Sequence, residues 1–195
     1  MCEHLIYILK AMAQIGLEPV AQLALYRLGV RLGWYRWRER AIGRGEAAVS
    51  SEPHTDWVAL PDPEALRSVA GPDGVAEAIS LADEIVAGRY RPFGGESSAL
   101  RLDFPFPHAH WTAYERGAVQ IPFSAAGCPY PDIKFIWEPA RFGWAFTLGR
   151  AYRLSADERY PRTFWRYFEA FCAAQPPFFG PQWMNGQEVA LRLLA

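Results

Sequence analysis

The sequence predicts a mainly α fold: an array of α-helical hairpins, with one short β-hairpin and one long irregular loop set among them. Three observations carry that expectation. Apolar residues recur at helical spacing in several separate runs. Two helix-opening signatures, "SADE" at 155–158 and "NGQE" at 185–188, place a capping residue three positions before a glutamate. Gly and Pro concentrate between the periodic runs, where they stop helices. At 195 residues the chain is the size of one domain, 1–195. It divides into N-terminal helices at 1–45, a mixed section of helix, hairpin and loop at 46–131, and helical hairpins at 132–195.

Residues 3–15 and 18–37 are predicted as two helices. Leu5, Ile8, Leu9 and Met12 give the first its stripe; Val20, Leu23, Ala24, Tyr26, Val30 and Trp34 give the second; Gly16 and Pro19 mark the break. The second ends in "RLGWYRWRERAIGRG", where rings alternate with arginines. Such a pattern suits nucleic acid or lipid head groups, but the simpler expectation is an arginine-covered helix end whose rings pack inward. Residues 46–63 are polar and Pro-containing, a linker or surface loop. Asp62 then caps a short helix, and a second follows over about 74–87 with Val75, Ile79, Ala82 and Val86 on one face and Gly88 as its stop. "RYRPFGGESSALRLDFPFPHAHW" predicts a short hairpin followed by irregular chain to about residue 131. A loop that long in a compact domain is usually functional or disordered, and its Phe, His and Trp content favours the functional option.

In the last third, Pro139 is acceptable at the first position of a helix, where its missing N–H costs nothing. The helix is therefore expected over 139–153, with Trp137 and Glu138 at its mouth. "SADE" opens the next, to about 174, with Tyr160, Phe164, Tyr167, Phe168 and Phe171 on its apolar side. "QPPFFGP" ends it, and "NGQE" starts a helix that runs to Ala195. Each helical pair buries its apolar face on the next, so one and a half pairs neither close a ring nor cap themselves.

Composition limits the function classes. The formal charge is −1 and the isoelectric point about 6.4, so no overall field draws the chain to nucleic acid or to an anionic membrane, and any anion recognition must be local. Aromatic residues reach 15%, more than core packing requires. Cys2, Cys128 and Cys172 are odd in number and widely spaced, against a disulfide framework or a cysteine metal site. Glu3 and Lys10 spoil a signal-peptide pattern at "MCEHLIYILKAMAQ". With the unpaired cysteines, this favours the cytoplasm. No apolar run approaches the roughly 20 residues that a membrane span needs.

One stretch, "DIKFIWEPARFGWAFTLGRAYRLSADERY" at 132–160, gathers Lys134, Trp137, Glu138 and Arg141 where plain apolar residues would serve a core. With "FWRYFEAF" and "PPFFGPQWMNGQEVALRLLA" after it, and "GRYRPFGG" and "HW" before it, the run closely resembles the N-terminal region of the heparinase II/III-like polysaccharide lyases. The match is dense over 132–195, weaker from about 85, and only one of character in the opening helices.

That resemblance implies a partial (α/α) toroid, with 132–195 as its start and an acidic polysaccharide such as a glycosaminoglycan lying in a long groove. It also implies removal of the proton α to a uronate carboxylate and expulsion of the 4-O-linked sugar by β-elimination. The family's Asn, Tyr and His catalytic motifs lie beyond this chain, so no catalytic residue is assigned and the chain alone is expected to be inactive. No cofactor is implied. The implied partners are the polysaccharide and the remainder of the toroid, or an oligomer partner in its place. Family lyases are usually exported, which sets a periplasmic or secreted location against the cytoplasmic one.

The binding part remains. Lys134 and Arg141 could meet sulfate or carboxylate groups, and Trp137, Trp144 and Trp183 could lie against sugar rings. Glu138, Asn185 and Glu188 could bond hydroxyls, with Arg192 one turn after Glu188. Each has a structural alternative: Glu138, Arg141, Glu188 and Arg192 could knit helix ends together, Asn185 is a helix cap, and Trp144 suits a core. A non-enzymatic glycan- or protein-binding helical module is the competing function class.

Other patterns are weaker. "HAHW" sets His108 and His110 on one side of an extended segment, a feasible metal pair that needs a third ligand from Asp103, Glu115, His54 or Cys128. Gly94 and Gly95 lack the GKS/T of a phosphate loop. Asp132 with Glu138 is conceivable as an acid/base pair, and Cys128 as a thiol nucleophile, but an inert Cys128 is the simpler expectation.

Overall fold

The computed structural model describes residues 10, 14, 16–42, 61–104, 106–121 and 132–195. Most of the predicted 3–15 helix, most of the 46–63 linker with His54, and residue Cys128 lie outside them.

Gly16, at φ 85°, precedes α1 (Leu17–Leu32), and Pro19 sits in the first turn, where no N–H is missed. Gly33 ends α1 in the left-handed conformation at φ 76°, donating its N–H to Gly29. A new helix, α2 (Trp34–Ile42), begins at once. The single helix expected over 18–37 is thus two, because Gly33 takes a turn that a residue with a Cβ resists.

Asp62 opens α3 (Pro63–Val86) by accepting hydrogen bonds from the N–H groups of Glu64 and Ala65 at 2.9 and 3.2 Å. Gly71, at φ 66° and ψ 174°, kinks α3 just before Pro72, so the two predicted helices are joined end to end across a break. Its buried face is Ala78, Ala82 and Ile85, while Val75, Ile79 and Val86 are half-buried. The predicted hairpin is present: β1 (Arg89–Tyr90) pairs antiparallel with β2 (Ser98–Ala99), Arg89 opposite Ala99. Within the long loop a short helix, α4 (Trp111–Glu115), is capped by His110.

The last third is helical with shifted boundaries. α5 (Lys134–Ala140) contains Pro139 instead of starting at it, and Trp137 and Glu138 lie inside the helix. The chain breaks at Phe142, φ 58°, and restarts as α6 (Gly143–Ser155). The left-handed turn drops the Phe142 ring among Trp144, Phe168 and Phe171, at centroid distances of 5.5, 6.0 and 5.2 Å. Burying that ring offsets a backbone cost of about 1–2 kcal/mol. α7 (Arg159–Ala174) follows, then a 3-10 turn at Pro181–Trp183 and α8 (Gly186–Leu194). Neither capping box closes fully. Asn185 accepts from Gln187 N–H at 2.9 Å, but Glu188 turns to Arg141; at α7 it is Asp157, not Ser155, that accepts from Arg159 N–H.

The main core is built by α3, α6 and α7 and closed by Leu100 and Leu102. Trp144, Leu148, Ala151, Tyr160 and Phe171 fill it, with Phe164, Tyr167 and Phe168 packed at its edge. Phe104, Phe106 and Ile136 form a smaller cluster under α5. The molecule is mainly helical with one two-stranded antiparallel sheet. No described helix is long and apolar enough to cross a membrane.

Candidate functional site

Helix ends leave carbonyls without intrahelical partners, and the C-terminal end of α5 shows where the charged cluster goes. Arg192 donates from Nε to Ala140 O at 2.8 Å and from Nη2 to Gln182 O at 2.9 Å. Gln182, fully buried, donates to Ile136 O at 2.9 Å, and the Trp144 indole donates to Pro139 O at 2.9 Å. The Trp137 indole crosses to Pro181 O, also at 2.9 Å. Side chains thus bind α5 to the 3-10 turn and to α8.

Arg141 completes this knot. Its Nε and Nη2 grip the two oxygens of Glu188 at 2.6 and 2.7 Å, and Nη1 reaches Glu138 at 3.1 Å. The Glu188 side chain is 4% exposed, and both its oxygens are met by this bidentate partner. Hydrogen bonding to Glu188 is the largest influence on the Arg141 guanidinium and raises its pKa. Arg192 lies over the rings of Phe171 and Trp183, at 5.1 and 5.3 Å, and burial pushes its pKa down to about 10. At neutral pH it remains a cation, held by two carbonyls and two aromatic faces. Gln182 Oε1, Trp183 Nε1 and Arg192 Nη1 are buried without a hydrogen-bond partner among the described residues.

The sequence-predicted residues therefore part company. Glu138, Arg141, Glu188 and Arg192 come together, but with their charges spent on one another and on the backbone. Trp137 and Trp183 are half-buried beside them, and Asn185 is a helix cap. Lys134 is exposed at the start of α5, its N–H bonded to Asp132 Oδ1 at 2.9 Å. Asp132 is thereby a local turn-former, and Glu138 an arginine partner.

A second centre was not foreseen as a unit. His110 is 8% exposed at the start of α4. Its Nδ1 lies 3.3 Å from Thr112 N and 2.8 Å from Thr112 Oγ1, and its Nε2 faces the Glu39 carboxylate on α2. Glu39 also accepts from the Trp111 indole at 2.8 Å, and Arg36 Nε donates to Thr112 Oγ1 at 3.2 Å. Both imidazole nitrogens of His110 are occupied, which removes it from the suggested metal pair with His108. Among the described residues no group of three His, Cys, Asp or Glu side chains converges.

These contacts leave an open cavity of about 410 Å³ between α2, the 108–110 segment and the 178–179 segment. Arg36, Arg40 and His108 stand around it, and Phe178, Phe179 and Ala113 give it an apolar lining. Backbone pairing fixes the walls: Trp111 N–H donates to Phe178 O at 2.9 Å and Gly180 N–H to Ala109 O at 2.8 Å. Phe178 then meets Trp183 at 5.8 Å, so the lining rests on the charged knot. Two guanidinium forks beside ring faces suit an anionic, ring-bearing ligand, because a fork matches carboxylate or sulfate and a flat apolar face matches a sugar ring. "WRER", "HAHW" and "PPFFG" each stand out in the sequence, but nothing in it brings the three together.

Comparison with family models, with curated proteins and with solved structures finds no match in any of the three.

Proposed function

We propose that this chain forms the opening wall of a glycan trough in a heparinase II/III-like polysaccharide lyase, as the start of an (α/α) toroid. Its role is to bind anionic sugar, while the Asn, Tyr and His of the elimination chemistry come from polypeptide outside it. The observation that carries this reading is the cavity whose lining combines Arg36 and Arg40 with Phe178 and Phe179, the Glu39 carboxylate beside them being taken up by His110 and Trp111. The Arg141–Glu188 knot becomes its scaffold, and Lys134 an exposed outlying cation.

Calorimetric titration of the chain with heparin, chondroitin sulfate and alginate oligosaccharides tests it, with a neutral dextran as control. Binding should be confined to the acidic glycans and weaken with salt, and Arg36→Ala/Arg40→Ala should lower affinity at least about tenfold, since each lost charge-assisted bond is worth about 1.5–3 kcal/mol. Equal binding of dextran, or no effect of the double substitution, would overturn the assignment.

A second reading, a binding module with no part in catalysis, is favoured by one observation. Asp132, Glu138, Glu188 and His110 are all engaged in structural hydrogen bonds. Unsaturated uronate product, followed by its ultraviolet absorbance, separates the two when the whole translated product of the gene is assayed: release of product sustains the lyase reading and its absence sustains the module.

A further inference from the structure

Helix α1 is apolar on two opposite sides. Tyr26 and Val30 face the body of the protein: Val30 is buried, and the Tyr26 ring lies 6.5 Å from Trp111. On the opposite side Leu17, Ala21, Leu25, Leu28 and Leu32 recur at helical spacing, and the four leucines are 52–75% exposed. Helix α2 repeats the arrangement. Tyr35 packs on the same Trp111 at 5.4 Å and Glu39 bonds its indole, while Trp34 and Trp37 point away, 51% and 62% exposed and 5.2 Å apart. Both helices turn their inner faces to one aromatic cluster, in which Tyr26 and Tyr35 also meet at 5.7 Å, and leave the leucines and tryptophans exposed away from it. The expectation that the rings of "WYRWRER" all pack inward holds for Tyr35 and fails for the two tryptophans.

The charge beside this face is mainly positive. Of the five arginines and two glutamates in residues 17–42, Arg36 and Arg40 turn to the cavity and Glu39 turns to His110 and Trp111, which leaves the exposed Arg27, Arg31 and Arg38 against Glu18, a net +2 in a chain whose total is −1. Exposed leucines, a tryptophan pair and flanking arginines are what a helix lying in a bilayer interface presents: leucines enter the acyl boundary, indoles sit at head-group depth and guanidiniums meet lipid phosphates. We propose that α1 and α2 dock this protein flat on the surface of an anionic phospholipid bilayer, without crossing it. A second copy of the chain fits less well, because it would bring two faces of like charge together.

Cosedimentation of the chain with phosphatidylcholine vesicles, with and without phosphatidylglycerol, tests the proposal. Binding should require phosphatidylglycerol and bring a blue shift of tryptophan emission that Trp34→Phe/Trp37→Phe removes. Leu25→Glu/Leu28→Glu should abolish binding and leave the circular dichroism unchanged. Arg31→Gln/Arg38→Gln should weaken it roughly 25-fold, about fivefold for each arginine at an anionic surface. No binding of the folded chain to phosphatidylglycerol vesicles would overturn the proposal. So would a dimer in light scattering that Leu25→Glu/Leu28→Glu makes monomeric, which would assign the face to a second copy.

Discussion

Arg141 uses three nitrogens on two carboxylates, and the two sides of that arrangement are unequal. Its own side chain is 27% exposed and retains water and Glu138 if Glu188 is lost, whereas Glu188, at 4%, has neither. Arg141→Ala is therefore expected to cost about 3 kcal/mol, near the low end for orphaning a buried charge, and Glu188→Ala clearly less. Urea unfolding of the two variants checks the order; equal losses would mean that Glu188 finds water. Tyr26 gives the residue-scale pH dependence. Burial first, then the Glu115 carboxylate beside it, pushes its phenol from 10.0 up to about 12. A raised folded-state value means that the unfolded chain gives up this proton first as pH climbs. Its contribution is complete below pH 10 and drains away between about 10 and 12. Urea midpoints at pH 9 and 11 should fall further for the native chain than for Tyr26→Phe.

At the scale of elements, arginines repeatedly take up helix-end and loop carbonyls. Arg192 holds Ala140 O at the end of α5, Arg67 holds Leu154 O at the end of α6 at 2.7 Å, and Arg153 holds Pro61 O at 2.8 Å. Arginine therefore joins elements far apart in the chain where a shorter side chain would leave a carbonyl unpaired. The end of α6 also carries a correctable flaw. Ala156 takes the left-handed conformation at φ 56°, exposed, and donates its N–H to Tyr152 O at 2.7 Å. Glycine adopts that conformation freely, so Ala156→Gly is expected to stabilise the protein by about 0.5–1 kcal/mol, a rise of about 1–4 °C in Tm. An unchanged or lower Tm would show that the gain in the folded state is lost to unfolded-chain entropy. Ala156 also shows why element boundaries were only partly legible. Gly33, Gly71 and Pro72 announce their turns by residue type, but Phe142 and Ala156 turn the chain the same way without any such sign. The α5–α6 break was missed because the cause is a ring finding its place between Trp144 and Phe171, a tertiary event.

At the scale of the molecule, the knot and the cavity differ in how far the sequence reveals them. The Arg141–Glu138 pair, three residues apart, was open to inference; the i, i+4 spacing of Glu188 and Arg192 suggested a second pair, but Glu188 goes instead to Arg141 across 47 residues and Arg192 to backbone carbonyls. The cavity takes Arg36, His108 and Phe178 from three segments, and no periodicity reaches across such separations. What joins them is Trp111. Tyr26 stacks on its ring and Tyr35 meets it at a tilt, its indole donates to Glu39 and its backbone N–H to Phe178. Among the described residues, the α1–α2 pair also meets the body through Tyr26 with Glu115, Arg36 with Thr112 and Glu39 with His110, while the core of α3, α6 and α7 lies elsewhere. Trp111→Ala should accordingly release the pair as a unit. Limited proteolysis is expected to cut within residues 17–42 and leave a resistant fragment containing α3, α6 and α7. Acidic-glycan affinity should fall at least about tenfold as Arg36 and Arg40 leave the cavity, and docking on phosphatidylglycerol vesicles should persist, since the outer faces do not depend on the ring. If proteolysis stays confined to residues outside α1 and α2 and glycan affinity is unchanged, Trp111 is not the joint and the cavity is held by the His110–Glu39 pair without it.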